Sequence, residues 1–177
     1  MRGRTARAAA TLALLALPGC GYSLLGKGVT VDPSIKRIGV PVFKDRTGKP
    51  GLNEKVTQKV IEELLKRGKF DVVVETTGVD AIVEGEVTGY TVTPVAFSQS
   101  QNQGTQASRY VVTMTARVTY RKVGQKEPIW ATEGFVFRDE YELGDNPILY
   151  FDREDQTVDR LLGAFARSLV QAMLEAF

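Results

Sequence analysis

Histidine is missing from the 177-residue chain, and cysteine occurs once, at position 20. Without His there is no Ser-His-Asp or Cys-His catalysis, no His zinc ligand and no imidazole pH switch. A single Cys excludes disulfide frameworks and CxxC sites. Acidic residues are missing before Asp32, while Arg2, Arg4 and Arg7 crowd the start. Long apolar runs are missing too. The longest, Ala8 to Leu17, falls well short of the roughly 20 residues that span a bilayer, and charges break every later one. Gly26-Lys27-Gly28 and Gly48-Lys49-Pro50-Gly51 lack the Walker spacing, and no Gly-x-Ser-x-Gly nucleophile elbow occurs. Asp152, Glu154 and Asp155 lack the Gly–Glu spacing of a calcium loop and read as helix caps and dipole partners. The expectation is a non-enzymatic protein with no catalytic residue, no metal and no dissociable cofactor.

The residues present at the N-terminus form an address. A basic start, a ten-residue apolar stretch and Pro18-Gly19-Cys20 have the order of a secretory signal. Leu17-Pro18-Gly19-Cys20 is similar to the bacterial lipobox, in which the Cys receives a diacylglycerol on sulfur, becomes residue one and is N-acylated. The bland alternative is an incidental thiol beside an ordinary cleavage site. Gly21, where retained inner-membrane lipoproteins carry Asp, points by analogy to the outer membrane. Removing Arg2, Arg4 and Arg7 leaves 20 of the 23 basic residues against 21 acidic ones, so the apparent net charge of +2 belongs to the signal. Nucleic-acid binding has no support from charge.

Residues 21–34 are Gly-rich and aperiodic and read as a tether. Ile35 to Phe43 alternates, with Ile38, Val40 and Val42 on one face, as a strand does; Pro41 marks an edge or a strand end. Asp45 to Gly51 is turn chemistry. Val56, Val60, Ile61, Leu64 and Leu65 then follow helical spacing, with Gly68 placed to end the helix. Phe70 to Glu75 reads as a short buried strand. Asp80 to Thr93 reads as a longer one, with Ala81, Val83 and Val87 on one face and Ile82, Glu84, Glu86, Thr88 and Tyr90 on the other. Glu84 and Glu86 would lie about 6.5–7 Å apart, more plausible as a solvated pair than as an acid–base couple. Pro94 to Ser108 has almost no periodicity and no charge, and reads as a long connection, functional or a mobile hairpin tip. Val112, Met114, Ala116, Val118 and Tyr120 form the clearest alternation, and Ile129 to Tyr141 the antiparallel neighbour. A final helix, starting near Asp152 or Asp155, carries an unbroken apolar stripe from Val158 to Phe177. Its polar face is mixed in charge, against a membrane-surface helix.

Two helices for about five strands give an α+β fold, a two-layer sandwich with a mixed four- to five-stranded sheet and both helices on one face. The other sheet face, with Arg117, Arg121 and several Thr, would stay open. The expected organisation is a signal over 1–19, a lipid-anchored tether over 20–34 and a single domain over 35–177.

Cys20-Gly21-Tyr22-Ser23-Leu24, Ile38-Gly39-Val40-Pro41-Val42-Phe43 with Arg46-Thr47, and Asp80-Ala81-Ile82-Val83-Glu84-Gly85 occur in an order and spacing that resembles the LPS-assembly lipoproteins (LptE). The strand from Tyr110, Trp130 and Glu140-Tyr141 continue the likeness over nearly the whole mature chain. The resemblance implies an outer-membrane lipoprotein on the periplasmic side. It would be held by diacylglycerol and N-acyl chains on Cys20, would plug and assist assembly of the LptD β-barrel translocon, and would contact lipopolysaccharide (LPS). Because LPS is anionic, Arg109, Arg138 and Arg153 are the candidate contacts, carried over from positions near the long loop and before the last helix. The match there is imperfect, since acids flank Arg153 and the loop has no base until Arg109. The alternative is a lipid-anchored adaptor that activates a peptidoglycan synthase.

Overall fold

The computed structural model describes residues 32–67, 69–100, 104–143 and 150–176. The signal, the tether up to residue 31, Cys20 and Gly68 lie outside the described residues. In chain order the elements are β1 (Arg37–Gly39), β2 (Lys44–Asp45), α1 (Leu52–Lys66), β3 (Asp71–Val73), β4 (Ala81–Ser100), β5 (Gly104–Lys122), β6 (Trp130–Glu142) and α2 (Tyr150–Glu175). They build an α+β two-layer fold with one mixed sheet of order β3-β1-β4-β5-β6, to which β2 adds by pairing with β4. β1, β2 and β3 are parallel members, whereas β4, β5 and β6 form an antiparallel meander.

The sheet has six strands instead of four or five because Pro41 splits the segment expected as one strand. Proline has no N–H to give a ladder. The chain therefore leaves β4 after Gly39 and rejoins it at Lys44, opposite Glu86. Ile38 and Val40 are buried as expected, but Val42, in the excursion, is half exposed. Phe43 then turns into the core. Its backbone N–H donates to Thr57 Oγ1 at 2.9 Å, and the Thr57 hydroxyl donates to the Asn53 carbonyl at 2.7 Å. Replacing Thr57 with Val keeps the shape and removes the acceptor, leaving a buried N–H. That should lower stability by about 1–3 kcal/mol, while Thr57→Ser stays near wild type, as read by urea denaturation.

Each helix presents one apolar stripe to the same sheet face. On α1 the stripe is Leu52, Val56, Val60 and Leu64; Leu65, expected in it, is half exposed at the stripe's edge. On α2, Val158, Leu161, Leu162, Phe165, Leu169, Val170 and Met173 are all buried, joining one cluster with Val83, Val112, Met114 and Val118 of the sheet. Each such side chain contributes roughly 1.5–3 kcal/mol by leaving water. Lys55–Asp155 (3.6 Å) and Lys59–Asp159 (2.9 Å) advance by four residues on both helices, so α1 and α2 run side by side in the same direction.

Two bulges defeat simple alternation. In β4 the register slips between Val87 and Gly89, so Thr88 is an extra residue and Tyr90 and Val92 swing to the helix side, opposite Met114 and Val112. Tyr90 therefore does not share the polar face with Glu84 and Glu86. In β6 the register slips opposite Arg117, at Glu133–Gly134. That places Trp130, Phe135 and Phe137 on one face despite their odd spacing. Phe165 of α2 meets Phe135 and Phe137 edge-on at 5.6 and 5.5 Å. β3 differs from the buried strand expected: Asp71 is exposed and Val72 and Val73 are only partly covered, because β3 is an edge.

Residues 94–100 and 104–108 are paired strand and not an irregular connection, and the tip at 101–103 lies outside the described residues. β4 and β5 stay paired out to Ser100 and Gly104, with further slips near Ala96, as a ribbon extending past the end of β6. The period was invisible because neither face of this ribbon is covered, so polar Ser, Gln and Thr fill both. Val95 and Phe97 are exposed there, the latter at 63%.

At the other end of β4, the Asp80 carboxylate accepts from the backbone N–H groups of Lys36 and Arg37, both at 2.9 Å. These bonds, Arg37's first, hold its pKa below the ordinary 3.8. A depressed carboxylate contributes stability that is present above its unfolded pKa and lost as pH falls through the folded value. Asp80→Asn should therefore melt below wild type at neutral pH, with the gap closing as the pH falls below 3.8 and through the lowered folded value. Thermal melts of both proteins across pH 2–7 check this.

Candidate functional site on the open sheet face

The uncovered face of the sheet is built from the alternate residues of the meander. On β5 these are Arg109, Val111, Thr113, Thr115, Arg117, Thr119 and Arg121. The second half of β6 adds Val136, Arg138, Glu140 and Glu142. The register sets Thr113 against Arg138, Thr115 against Val136 and Arg109 against Glu142. The β5 row is neutral from Val111 to Thr115, with Glu140 and Arg138 of β6 beside it, and the remaining charges lie at the two ends of the face.

At the end near β2, Glu86 is a hub. Its side chain is 13% exposed and accepts from Arg46 Nε at 2.5 Å and Arg117 Nη1 at 3.3 Å. Arg117 Nε also donates to Glu133 at 2.5 Å, and Arg121 Nε to Glu84 at 3.3 Å. The spacing placed Glu84 and Glu86 on one face, as the structure does, but Glu86 is no freely solvated carboxylate: two guanidiniums cover it. Both acids are committed to arginines, which suits scaffolding and not proton transfer. Arg46 and Glu133 are the members of this network that spacing alone did not single out as charge sites; for Arg46, pairing of β2 with β4 reveals its place two residues after Lys44.

The three sequence-chosen arginines do not converge. Arg109 donates through Nε (3.1 Å) and Nη2 (2.6 Å) to Glu142 Oε1, and that carboxylate holds the guanidinium pKa above its ordinary value. Arg138 lies on the same face, four β5 residues from Arg109 by register, or about 13 Å. Arg153 is exposed on the first turns of α2, in the other layer. Neither Arg138 nor Arg153 forms an ion pair among the described residues. Arg138 and Arg153 are thus available to an external anion, while Arg109 is already satisfied in part.

Glu154, expected as a dipole partner at the helix start, is buried there. It accepts from Lys49 Nζ at 2.5 Å and from the Tyr90 hydroxyl at 2.7 Å, with the Lys49 ammonium 5.2 Å from the Tyr90 ring centre. This cluster ties the 45–51 turn, the β4 bulge and the start of α2 together. It is a structural lock, inside and away from the open face.

The family profile described as LptE, lipopolysaccharide-assembly, matches residues 35–173. The chain belongs to this family. The match covers both helices and every strand of the LptE domain, so the fold and the family agree. Similar solved structures have low identity to the chain, and two with a TM-score above 0.5 share its fold. A Xanthomonas campestris protein has a TM-score of 0.58 at 10% identity, covering 81% of this chain and 85% of that one. A hypothetical Chlamydia trachomatis protein has 0.51 at 8%, covering 79% and 96%. The rare lipoprotein B of Shewanella oneidensis has 0.48 at 14%, covering 78% and 93%. No curated protein sequence matches. Among the described residues of this LptE chain, no helix is long and apolar enough to cross a membrane.

Proposed function

We propose that this LptE protein is a non-enzymatic outer-membrane lipoprotein. In this reading it plugs an LptD-like β-barrel translocon from the periplasmic side, assists its assembly, and binds lipopolysaccharide in transit to the outer leaflet. The family match over residues 35–173 carries the reading. Two features of the chain support it. The open face carries Thr and Val rows with Arg109, Arg117 and Arg121 paired within the chain, which can be desolvated against a partner, and leaves Arg138 to meet an anion. The β4–β5 ribbon is uncharged from Val87 to Ser108 and has exposed edges, which a partner's backbone can satisfy. Cys20 carries the anchor: three acyl chains, each methylene worth about 0.8 kcal/mol, hold a protein where one chain would not.

Depletion of the protein should remove LPS from the cell surface, measured by surface labelling; unchanged export in depleted cells would end this reading. Cys20→Ala should lack the lipid mass and move to the soluble fraction unless the barrel retains it. A wild-type protein with no added lipid mass would contradict the anchor.

A further inference from the structure

We propose that the groove between the Pro41–Arg46 segment and the β4–β5 end of the open face binds a phosphorylated saccharide. The cavity measures about 460 Å³, within the range of small-molecule clefts. Its lining includes the carboxylates of Glu84 and Glu86, the cations Lys44, Arg46 and Arg117, and the apolar Pro41 and half-exposed Val42.

The cations are pre-positioned. Glu86 sits between the two guanidiniums and fixes both, while the Arg46 backbone N–H is tied to the Val87 carbonyl at 3.0 Å. Arg46 commits only Nε, so both of its terminal amino groups are unspent among the described residues. Arg117 commits Nε and Nη1 and keeps Nη2. Lys44 forms no ion pair among the described residues. Unspent planar donors beside a point-charge ammonium are the chemistry that grips a tetrahedral oxyanion.

A bare anion would leave the two carboxylates and the apolar residues of the groove unused. Those carboxylates, already neutralised by arginines, are instead acceptors for hydroxyl groups. Val42 and Pro41 offer a surface for the C–H face of a sugar ring. Donors for phosphate, acceptors for hydroxyls and an apolar strip describe a sugar phosphate. The site is separate from Arg109, Arg138 and Arg153. Where the saccharide is that of LPS, the assignment rests on the proposed function; a soluble sugar phosphate has the same chemistry.

The test uses the full lipidated chain in a zwitterionic detergent without sugar headgroups. Glucosamine 6-phosphate, glucosamine, inorganic phosphate and purified LPS are titrated into wild type, Arg46→Gln, Arg117→Gln and Lys126→Gln, a change of an exposed turn cation away from the groove, with thermal melts confirming each fold. Glucosamine 6-phosphate is expected to bind wild type and Lys126→Gln alike and to lose about tenfold or more in affinity in Arg46→Gln and Arg117→Gln. Arg46 is two-thirds exposed, so its variant keeps the test valid if Arg117→Gln fails to fold. Glucosamine should bind far more weakly, and inorganic phosphate more weakly than the sugar phosphate. Equal affinity in all variants, or inorganic phosphate binding as tightly as the sugar phosphate, overturns the proposal. LPS binding that ignores both groove variants overturns the groove as its site and leaves the proposed function standing. Sugar phosphate binding with no LPS binding by any form supports the groove and counts against the proposed function.

Discussion

Gly85→Val should be the most damaging single substitution in this protein, lowering stability by about 3 kcal/mol or more. Gly85 lies on the helix-facing side of β4 between Val83 and Val87, and the Phe43 ring occupies the space a side chain would need. A Cβ built there would overlap Phe43 Cε2, Cδ2 and Cζ. The ring cannot retreat, because it is 1% exposed and its backbone is held to Thr57. Interiors at crystal-like density have no room to absorb such a group. Gly85→Ala should show a smaller loss in the same direction. The cause is checked by a double-mutant cycle: Gly85→Ala with Phe43→Leu should be less destabilised than the sum of the singles, with a coupling of about 1 kcal/mol or more. Additive effects would mean that the glycine is needed for its backbone and not for the ring.

Lys49→Met should be the next largest, at about 3 kcal/mol, or a fall in Tm of roughly 6–12 °C. Methionine keeps most of the apolar stem but takes the ammonium away from the Glu154 carboxylate, 8% exposed, which still accepts from the Tyr90 hydroxyl. The reverse change, Glu154→Gln, should cost about 1 kcal/mol. The amide oxygen still accepts from Tyr90, and the Lys49 side chain, one-third exposed, can carry its ammonium to water. The order of the two effects is the content of this prediction. Equal losses would mean that the carboxylate is better solvated than its burial indicates.

Much of this fold was legible because strong periodicity coincides with burial. The alternation from Val112 to Tyr120 and the α2 stripe from Val158 to Leu174 matched the core residue for residue, with Phe177 outside the described residues. Legibility failed where backbone geometry overrode alternation. Thr88 and Glu133–Gly134 each insert a residue that no hydrophobic pattern announces, so Tyr90 was put on the wrong face. Pro41 was read as a strand end but not as the point where one strand becomes two. The 94–108 ribbon was hidden because uncovered strands have no apolar face to alternate.

The functional surface was less legible still. Arg117 and Arg121 were placed on the open face by their position in the β5 alternation. Arg46 joined them only once β2 was seen to lie beside β4, a pairing between residues forty positions apart. Arg109, Arg138 and Arg153 were carried over from a resemblance, and that carries no geometry. The structure separates them into two layers.

The central claim, that this LptE chain works as a subunit of an LPS-exporting barrel, is tested most directly by affinity capture from detergent-solubilised outer membrane. The partner is identified by mass. A large β-barrel protein in one-to-one ratio with the chain is the expected result. Recovery of a peptidoglycan synthase, or of the chain without any barrel, would contradict it.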